Sequence, residues 1–437
     1  MTTVAELCVL VDETDIGRLR RDRRGRVSFQ YDSCYAANPV SVPLSLSMPL
    51  VAEVYGDEVV RRWISSLLPD HPRTLARWQQ AHGASDAFGL LATPAGYDCA
   101  GAVQFCRTEL LDEMQARPGS LKPLTAHEMS GRVAVMTQDP AGWTVDDLEP
   151  CYSLAGFQNK MALHRTDEGW ALPAGAVPST HILKPRHRDS GSPAVVEHLC
   201  AAAARSVGLD AVASTVEIHD GHPVTVIERY DRASRGGQWR RLHQEDMCQA
   251  LGRDGQLRHE HVGGPGMAVI GDLIRAHSVD PEADIRKFAD GLLWALVTVN
   301  RDAHARNYSV LLDRRSARLA PLYDLQSSLP YVGAGLGERE MAMRYGSTFT
   351  VYSSNSDHSL IDTAARLRLP ADWVVGRAEA LAEAAVAAFT AEADRLQPGA
   401  HEHLRVEEFL DRLRRRCASV AKTAAANRLR MPRHPSN

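Results

Sequence analysis

The sequence predicts an α+β protein in two parts, a strand-rich part followed by a helical part, behind a small mixed α/β module. Three observations predict it. Short apolar runs bounded by turn residues recur up to about residue 231. From about residue 243 the apolar residues change to steps of three and four, the helical period. Pro118, Gly119 and Pro123 punctuate the chain between the first module and the later strands. A length of 437 residues also exceeds what a single core usually serves.

The first module is read as residues 1–108. AELCVLVDE (5–13) and RVSFQY (26–31) are predicted strands, with the Arg-rich GRLRRDRRGR (17–26) between them. Its six arginines raise the question of a nucleic-acid patch. Asp22 interrupts the run and no aromatics interleave, so a solvated hairpin is expected instead. VSVPLSLSMPL (40–50) is extended, helices are expected over 59–69 and 73–83, and a strand over 97–105.

Residues 109–240 form the strand-rich part. Strands are expected at 160–165, 180–185, 216–220 and 225–231, as an antiparallel sheet, with an alanine-rich helix at 194–208 that ends on Gly208. Residues 241–430 form the helical part. Helices are expected for QEDMCQALG (244–252), 265–278, 284–299, 371–396 and 401–426. Apolar stripes mark the last two: Val374, Ala378, Leu381, Ala385 and Ala388, then Val406, Leu410, Leu413, Cys417 and Val420. Arg412, Arg414, Arg415 and Arg416 crowd the final helix, where its dipole tolerates cations. Residues 431–437 read as a disordered tail.

Composition narrows the function classes. Apolar residues make up 44% and charged residues 24%, and the net charge is −4, so no global field draws the chain to nucleic acid or anionic membrane. The N-terminus lacks a signal-peptide pattern and no apolar run reaches the length of a membrane span. The eight cysteines contain no CxxC pair, which fits small buried hydrophobes in a reducing compartment. A cytoplasmic protein with no membrane partner is the expectation.

The chemistry concentrates in NRDAHARNYSVLL (300–312), where a long apolar helix meets a short strand. Asp302 and Asn307 reproduce the D-x-x-x-x-N spacing of a kinase catalytic loop. In that chemistry the Asp orients the attacking hydroxyl and the Asn amide oxygen holds Mg²⁺. An Asx-rich turn ending a helix would look the same. His304 lies inside the loop and can brace it. Asp324, in APLYDLQSS, follows the hairpin that leaves this loop and supplies a carboxylate for Mg²⁺, though a strand-end Asp is the plain reading. Lys184 ends the strand THILK, and Glu197 lies thirteen residues later, early in the next helix. A lysine there can reach ATP phosphates, and the Glu can orient it. SLAGFQNKMAL (153–163) precedes the first strand of the sheet, and Ser153, Ala155 and Gly156 can bring backbone N–H groups toward phosphate oxygens. Strand-rich part, helical part and these residues in this order match a two-lobed protein-kinase-like fold.

SLAGFQNKMAL, THILKP, VIERYDR, LHQEDMCQALG, GGPG, NRDAHARNYSVLL and APLYDLQSSLP together resemble the HipA family of bacterial toxin kinases. VSFQYD, PLSLSMPL, DAFGLL and GYDCAGAVQF resemble its N-terminal subdomain. The resemblance spans about residues 5 to 350 and implies an ATP- and Mg²⁺-dependent serine/threonine protein kinase that arrests growth. Aminoacyl-tRNA synthetases are family substrates. A HipB-like helix-turn-helix antitoxin holds the toxin, and their complex binds operator DNA. By matching position, Asp302 is then the catalytic base, Asn307 and Asp324 are Mg²⁺ ligands, and Lys184 binds phosphates. Glu228, Arg229 and Tyr230 meet the adenine, and Ser153 is the autophosphorylated serine. Phe157 beside the phosphate path and Asn300 in place of the usual His depart from kinase patterns.

Three other readings compete. A kinase-fold enzyme for a small molecule or lipid would use the same residues. A non-catalytic co-repressor would need none of Lys184, Asp302, Asn307 and Asp324. A metallohydrolase would rest on His259, His261, His401 and His403, a weak pattern of H-x-H pairs.

Overall fold

The computed structural model describes residues 5–139, 152–185, 195–314, 316–331, 340–350, 359–400 and 404–431. The chain divides into two compact units. The first takes Met1–Ser190, Glu217–Gln256 and Ser309–Ala320, and the second Gly191–Val216, Leu257–Tyr308 and Pro321–Asn437.

In the first unit a five-stranded antiparallel sheet runs in the order Val54–Tyr55, Val27–Tyr31, Thr14–Arg21, Ala5–Val11, Val103–Arg107. The hairpin expected over 17–26 is present, but its first arm is a full strand with the turn at Asp22–Gly25. A bulge opposite Val9 and Leu10 inserts Ile16, which lets both Ile16 and Leu19 be buried although they stand three apart. Gly17 sits where a Cβ would lie 2.2 Å from the Gln30 carbonyl oxygen, so only glycine fits the close approach. Four of the six arginines are matched by carboxylates: Arg18 to Asp15, Arg20 to Glu6, Arg21 to Asp86 and Arg26 to Asp22, all at 2.6–2.9 Å. Their cost in repulsion is met locally, as a solvated strand face requires.

A second antiparallel sheet has the order Ser214–His219, His222–Glu228, His181–Pro185, Met161–Thr166, Gly169–Ala174, Ser120–Pro123. The edge strand Ser120–Pro123 occupies the stretch whose prolines read as a linker. Pro123 is tolerated because an edge strand leaves one side of its backbone unpaired. Both sheets feed one apolar core, in which Leu7, Phe29, Trp63 and Trp78 join Met161, Leu183 and Val226.

Two local expectations change. The strand expected from residue 97 begins at Val103, because Pro94–Tyr97 is a 3₁₀ turn and Asp98 is drawn into a cluster of arginines. QEDMCQALG is helical only over Met247–Ala250. Gln244–Asp246 pairs instead with Ser309–Asp313 as a strand, so tertiary pairing overrides local propensity. Asp246 and Gln249 then form a capping box that starts the short helix.

Asp98 is buried with three guanidinium groups, Arg232 at 2.8 Å, Arg241 at 3.1 Å and Arg229 at 3.7 Å. Asp231 pairs with Arg229 at 2.8 Å and Arg232 at 3.0 Å. Burial alone would raise the Asp98 pKa, but Arg232, Arg241 and Arg229 hold it well below the usual carboxylate range. Glu245 is the opposite case. It is fully buried, and burial pushes its pKa up to about 7 although the Leu46 N–H and Trp63 Nε1 donate to it at 2.8 and 3.2 Å.

The second unit is mainly helical: Val195–Ser206, Met267–His277, Pro281–Thr298, Ser359–Leu367, Ala371–Asp394 and Val406–Arg430. Pro281–Thr298 is the central helix and is buried along most of its length. Its Trp294 stacks on Phe389 with centroids 5.7 Å apart, and Phe389 meets Phe409 edge-on. Val374, Ala378, Leu381 and Ala385 are buried, as are Leu410, Leu413, Cys417 and Val420. Arg416 stands apart from Arg412, Arg414 and Arg415 on the last helix. It is buried and donates from Nε and Nη2 to the Leu296 carbonyl at 3.0 and 2.9 Å, serving one of the orphan carbonyls at the end of the central helix. Among the described residues no helix is long and apolar enough to cross a membrane. Six of the seven described cysteines are buried and unbridged, while Cys34 is exposed and Cys151 lies outside the described residues.

Asp98→Asn is expected to lower unfolding stability by roughly 3–5 kcal/mol, because it leaves buried guanidinium groups uncompensated. Denaturant unfolding would check this. For Glu245 the folded pKa of about 7 lies above the ordinary 4.5. Its stabilising contribution is therefore full below about pH 4.5 and lost as pH rises through about 7. Glu245→Gln should gain on the parent between pH 5 and pH 8 by an amount on the order of 3 kcal/mol. Melting curves of both proteins across that range test it, and parallel curves would refute it.

Candidate active site

Helix Pro281–Thr298 ends at Val299, which takes the left-handed conformation at φ 54° and donates its N–H to the Ala295 carbonyl. A β-branched residue disfavours that conformation, so packing must hold it there. The chain then reverses. Asn300 N–H returns to Ala295 O at 2.8 Å, and Asn300 Oδ1 accepts from Asp302 N at 3.2 Å. Asn300, where a His was expected, thus braces the loop directly.

Asp302 O closes the next turn. It accepts from His304 N at 2.8 Å and from Asn307 Nδ2 at 2.7 Å. With Nδ2 committed, the amide oxygen is the Asn307 atom suited to a cation. Residues Ala305–Asn307 form one 3₁₀ turn. His304 is buried, and burial lowers its pKa to about 4 despite the nearby Asp302 and Asp324 carboxylates. Its imidazole is therefore neutral near pH 7. The Asp302 carboxylate faces solvent, with His259 Nε2 3.1 Å and His304 Nε2 3.7 Å from Oδ1.

Asp324 is fastened to the same loop. Tyr323 Oη donates to Arg306 O at 2.7 Å, Ser327 Oγ donates to Thr298 O at 2.7 Å, and Ser328 N–H donates to Val299 O at 3.1 Å. From the other side, Leu322 exchanges backbone bonds with Asp210 and Val212 at 2.8 and 2.9 Å. Asp324 itself sits at φ 54°, a conformation that costs a non-glycine residue about 1–2 kcal/mol. The fastenings on both sides hold it there. Asp302, Asn307 and Asp324 are thus brought into one tied substructure of the second unit. An amide oxygen and a carboxylate are hard donors, and they fit Mg²⁺.

The remaining candidates are described within their own units. Glu197 lies buried in the first turn of Val195–Ser206, in the second unit. Lys184 lies in the first unit on His181–Pro185, opposite Thr225, and is buried. Met161–Thr166, its other neighbour, follows directly from the loop that carries Ser153, Ala155 and Gly156. That loop is firmly held. Ser153 is fully buried; its N–H donates to Asp98 O at 3.0 Å and its Oγ donates to Leu67 O at 2.7 Å. Lys160 Nζ reaches back to Ala155 O at 2.5 Å, and Asp70 N–H donates to Gly156 O at 3.0 Å. Gly156 sits at φ 115°, and a Cβ there would meet Lys160 Nζ at 2.2 Å. Phe157 turns outward, its ring against His71.

Glu228 ends the strand His222–Glu228, opposite His181. The Arg229 guanidinium is taken up by Asp231, Ser179 Oγ and Cys99 O, and its backbone N–H and carbonyl by Thr180 O and Arg232 N–H, so Arg229 itself holds the stretch in place. Tyr230 Oη donates to Gln244 Oε1 at 2.7 Å.

Lys160 was not among the expected site residues, and His259 was expected only in the weak H-x-H pair with His261. Lys160 had a signal, since a lysine within reach of a glycine-bearing loop can tie it. The pairing of His259 with Asp302 had none, because the two stand 43 residues apart. His261 is not in the cluster of ligating side chains formed by His259, Asp302 and His304, and His401 and His403 lie outside the described residues.

A two-part chain with a tied Asp–Asn–Asp loop defines the kinase-like class, and comparison with known proteins carries it to a family. The model of the HipA N-terminal domain matches residues 7–106, and that of the HipA-like C-terminal domain matches residues 152–390, over half the chain. The chain belongs to the HipA family. A protein of Sinorhizobium fredii named as a kinase is 34% identical over 359 residues, covering 81% of this chain and 84% of that protein. The serine/threonine-protein kinase toxin HipA of Shewanella oneidensis is 30% identical over 304 residues, covering 65% of this chain and 66% of that protein. A HipA structure from Shewanella oneidensis, solved with HipB and its operator DNA, superposes with a TM-score of 0.81 at 23% identity. It covers 97% of this chain and 99% of that one. The expected fold class, a strand-rich part followed by a helical part in the kinase-like arrangement of HipA, is the one observed.

Proposed function

We propose that this protein is an ATP- and Mg²⁺-dependent serine/threonine protein kinase and the toxin of a toxin–antitoxin pair. The turn closed on Asp302 O carries the reading. It spends the Asn307 amide nitrogen on the backbone and so keeps the amide oxygen for a metal, five residues from an exposed carboxylate. Membership of the HipA family supports it.

In this reading the Asp302 carboxylate accepts the proton of a serine or threonine hydroxyl as that oxygen attacks the γ-phosphorus of ATP. Mg²⁺ on Asn307 Oδ1 and the Asp324 carboxylate would neutralise charge on the phosphates. Lys184 holds phosphate oxygens as a point charge, and Glu197 orients it. The loop that carries Ser153 would cover the phosphates with the backbone N–H groups of Ala155 and Gly156, the Ser153 N–H being held by Asp98 O. The stretch Glu228, Arg229 and Tyr230 would meet the adenine at Glu228 and Tyr230, since the Arg229 backbone N–H and carbonyl are taken by Thr180 O and Arg232 N–H. His304, neutral near pH 7, braces the loop through its backbone N–H on Asp302 O.

Ser153 is the proposed autophosphorylation site. In the described conformation its Oγ is buried against a carbonyl, so the loop must leave before phosphate can be added. A phosphoserine dianion facing the Leu67 carbonyl would find repulsion where the hydroxyl found an acceptor, and the loop would stay out. A HipB-like helix-turn-helix antitoxin, operator DNA through that antitoxin, a protein substrate such as an aminoacyl-tRNA synthetase, and a cytoplasmic setting complete the proposal. So does a division into a subdomain at 1–108, an ATP-binding part at 109–240 and a catalytic part at 241–430.

Incubation with labelled ATP and Mg²⁺, followed by phosphosite mapping, tests the reading. Asp302→Asn should lower transfer at least about 100-fold, the lower range for loss of a general base, with ATP affinity unchanged. Transfer at the parent rate would remove Asp302 from its role. Ser153→Asp should weaken ATP binding about tenfold or more, roughly 1.4 kcal/mol by calorimetry. Unchanged affinity would remove the switch.

A further inference from the structure

One cluster of ligating side chains in the second unit joins Asp302 and His304 of the reading above to His259, which has no part in it. His259 Nε2 lies 3.1 Å from Asp302 Oδ1, and His304 Nε2 lies 3.7 Å from the same oxygen. One ligand atom from each of the three residues lies within 4.8 Å of the others. The imidazole rings of His259 and His304 stand 5.1 Å apart and tilted by 38°, so both present nitrogens toward the carboxylate. His304 Nδ1 is buried and has no hydrogen-bond partner among the described residues. No partner therefore pins the tautomer, and Nε2 can offer its lone pair. Accessibility differs across the cluster: the Asp302 side chain is 61% exposed, His259 29% and His304 7%. An ion can arrive from solvent at Asp302 and settle against a nearly enclosed histidine.

We propose that His259, Asp302 and His304 form a site for a transition-metal ion of the zinc type, separate from the oxygen donors Asn307 and Asp324. Two imidazoles and one carboxylate are a three-ligand zinc set that keeps a fourth position for water. Donors about 2.0–2.1 Å from a tetrahedral zinc ion stand roughly 3.3 Å from one another. The 3.1 and 3.7 Å separations are already near that value, and side-chain rotation closes the third edge. Mg²⁺ does not compete here, because it selects carboxylate, carbonyl and water oxygen over imidazole nitrogen. Asp302 would contribute the same oxygen lone pair to zinc that proton transfer requires. Bound zinc then removes the carboxylate from phosphoryl transfer. This last consequence rests on the proposed kinase role of Asp302; the metal site does not.

The test titrates the full-length protein with Zn²⁺ in excess Mg²⁺ and without nucleotide, by calorimetry. Co²⁺ is used in parallel for its visible absorption. The parent should bind one ion with histidine-type d–d bands. His259→Ala and the milder His259→Gln should weaken binding at least about 100-fold, beyond the 10–100-fold typical of changes outside the ligand set. His261→Ala should bind as the parent does, since His261 packs on Phe349 with its Nδ1 4.0 Å from Glu340. Absence of one-ion binding in the parent overturns the site, and so does unchanged affinity in both folded His259 variants. A transfer assay with stoichiometric Zn²⁺ follows. Loss of transfer in the parent, spared in His259→Gln, supports the whole proposal. Undiminished transfer with the site filled overturns the base role of Asp302 and leaves the metal site standing.

Discussion

The buried carboxylate of Asp98 is the constraint on which the first unit depends. It is one acid among three guanidinium groups, and it reaches three places at once. Its Oδ2 accepts from both the N–H and the Oγ of Ser179, at 3.1 and 2.6 Å, just ahead of the strand that bears Lys184. Its backbone oxygen holds the Ser153 N–H and so anchors the start of the phosphate-loop candidate. Its arginine partners, Arg229 and Arg232, also hold the Cys99 carbonyl at 3.0 and 3.1 Å. A buried charge needs its partners in good geometry, so each arginine fixes the others. The segment Arg229–Arg232 cannot shift without leaving charge uncompensated. That rigidity is useful in a stretch proposed to meet an adenine at Glu228 and Tyr230.

The second unit solves a related problem with backbone groups. The central helix stops in a left-handed valine, and its last carbonyls find Arg416 and returning N–H groups. The loop beyond is closed by side-chain amides on backbone atoms. Asn300 and Asn307 each spend one polar atom on the turn, which leaves Asp302 outside and exposed. Asp324 holds a disfavoured φ because Tyr323 and Ser327 tie its segment to that same loop. Strain at a metal-ligand candidate is the kind of local cost that packing elsewhere must sustain.

Two placements bear on regulation. Ser153 is buried rather than displayed, so any modification there must be coupled to opening of the loop. Asp302 is displayed rather than buried, between two imidazoles, so it is open both to a hydroxyl and to a metal ion. A rigid scaffold with an exposed carboxylate at its loop tip suits transfer to a protein side chain.

Local order is what the sequence determined by itself. Period-two and period-3.6 patterns, with Gly and Pro punctuation, marked the strands Ala5–Val11, Val27–Tyr31, Met161–Thr166, His181–Pro185 and His222–Glu228 and most long helices, because a face that must be buried imposes its own repeat. They did not mark the strands Thr14–Arg21 and Ser120–Pro123 or the helix Ala126–Gln138. Asp302, Asn307 and Asp324 were legible because they lie within 23 residues along one loop and hairpin. The tertiary structure decided what depends on distant partners. Gln244–Asp246 became a strand because Ser309–Asp313 needed a neighbour, against a local sequence that favours helix. Asp98 left the strand expected for it because three arginines lie more than 130 residues away in the chain. Arg416, one of four arginines that crowd the last helix, went inside to serve a carbonyl 120 residues earlier. His259 reached Asp302 across 43 residues. Buried charges and orphan carbonyls take partners by proximity in space, and a linear pattern does not encode that distance.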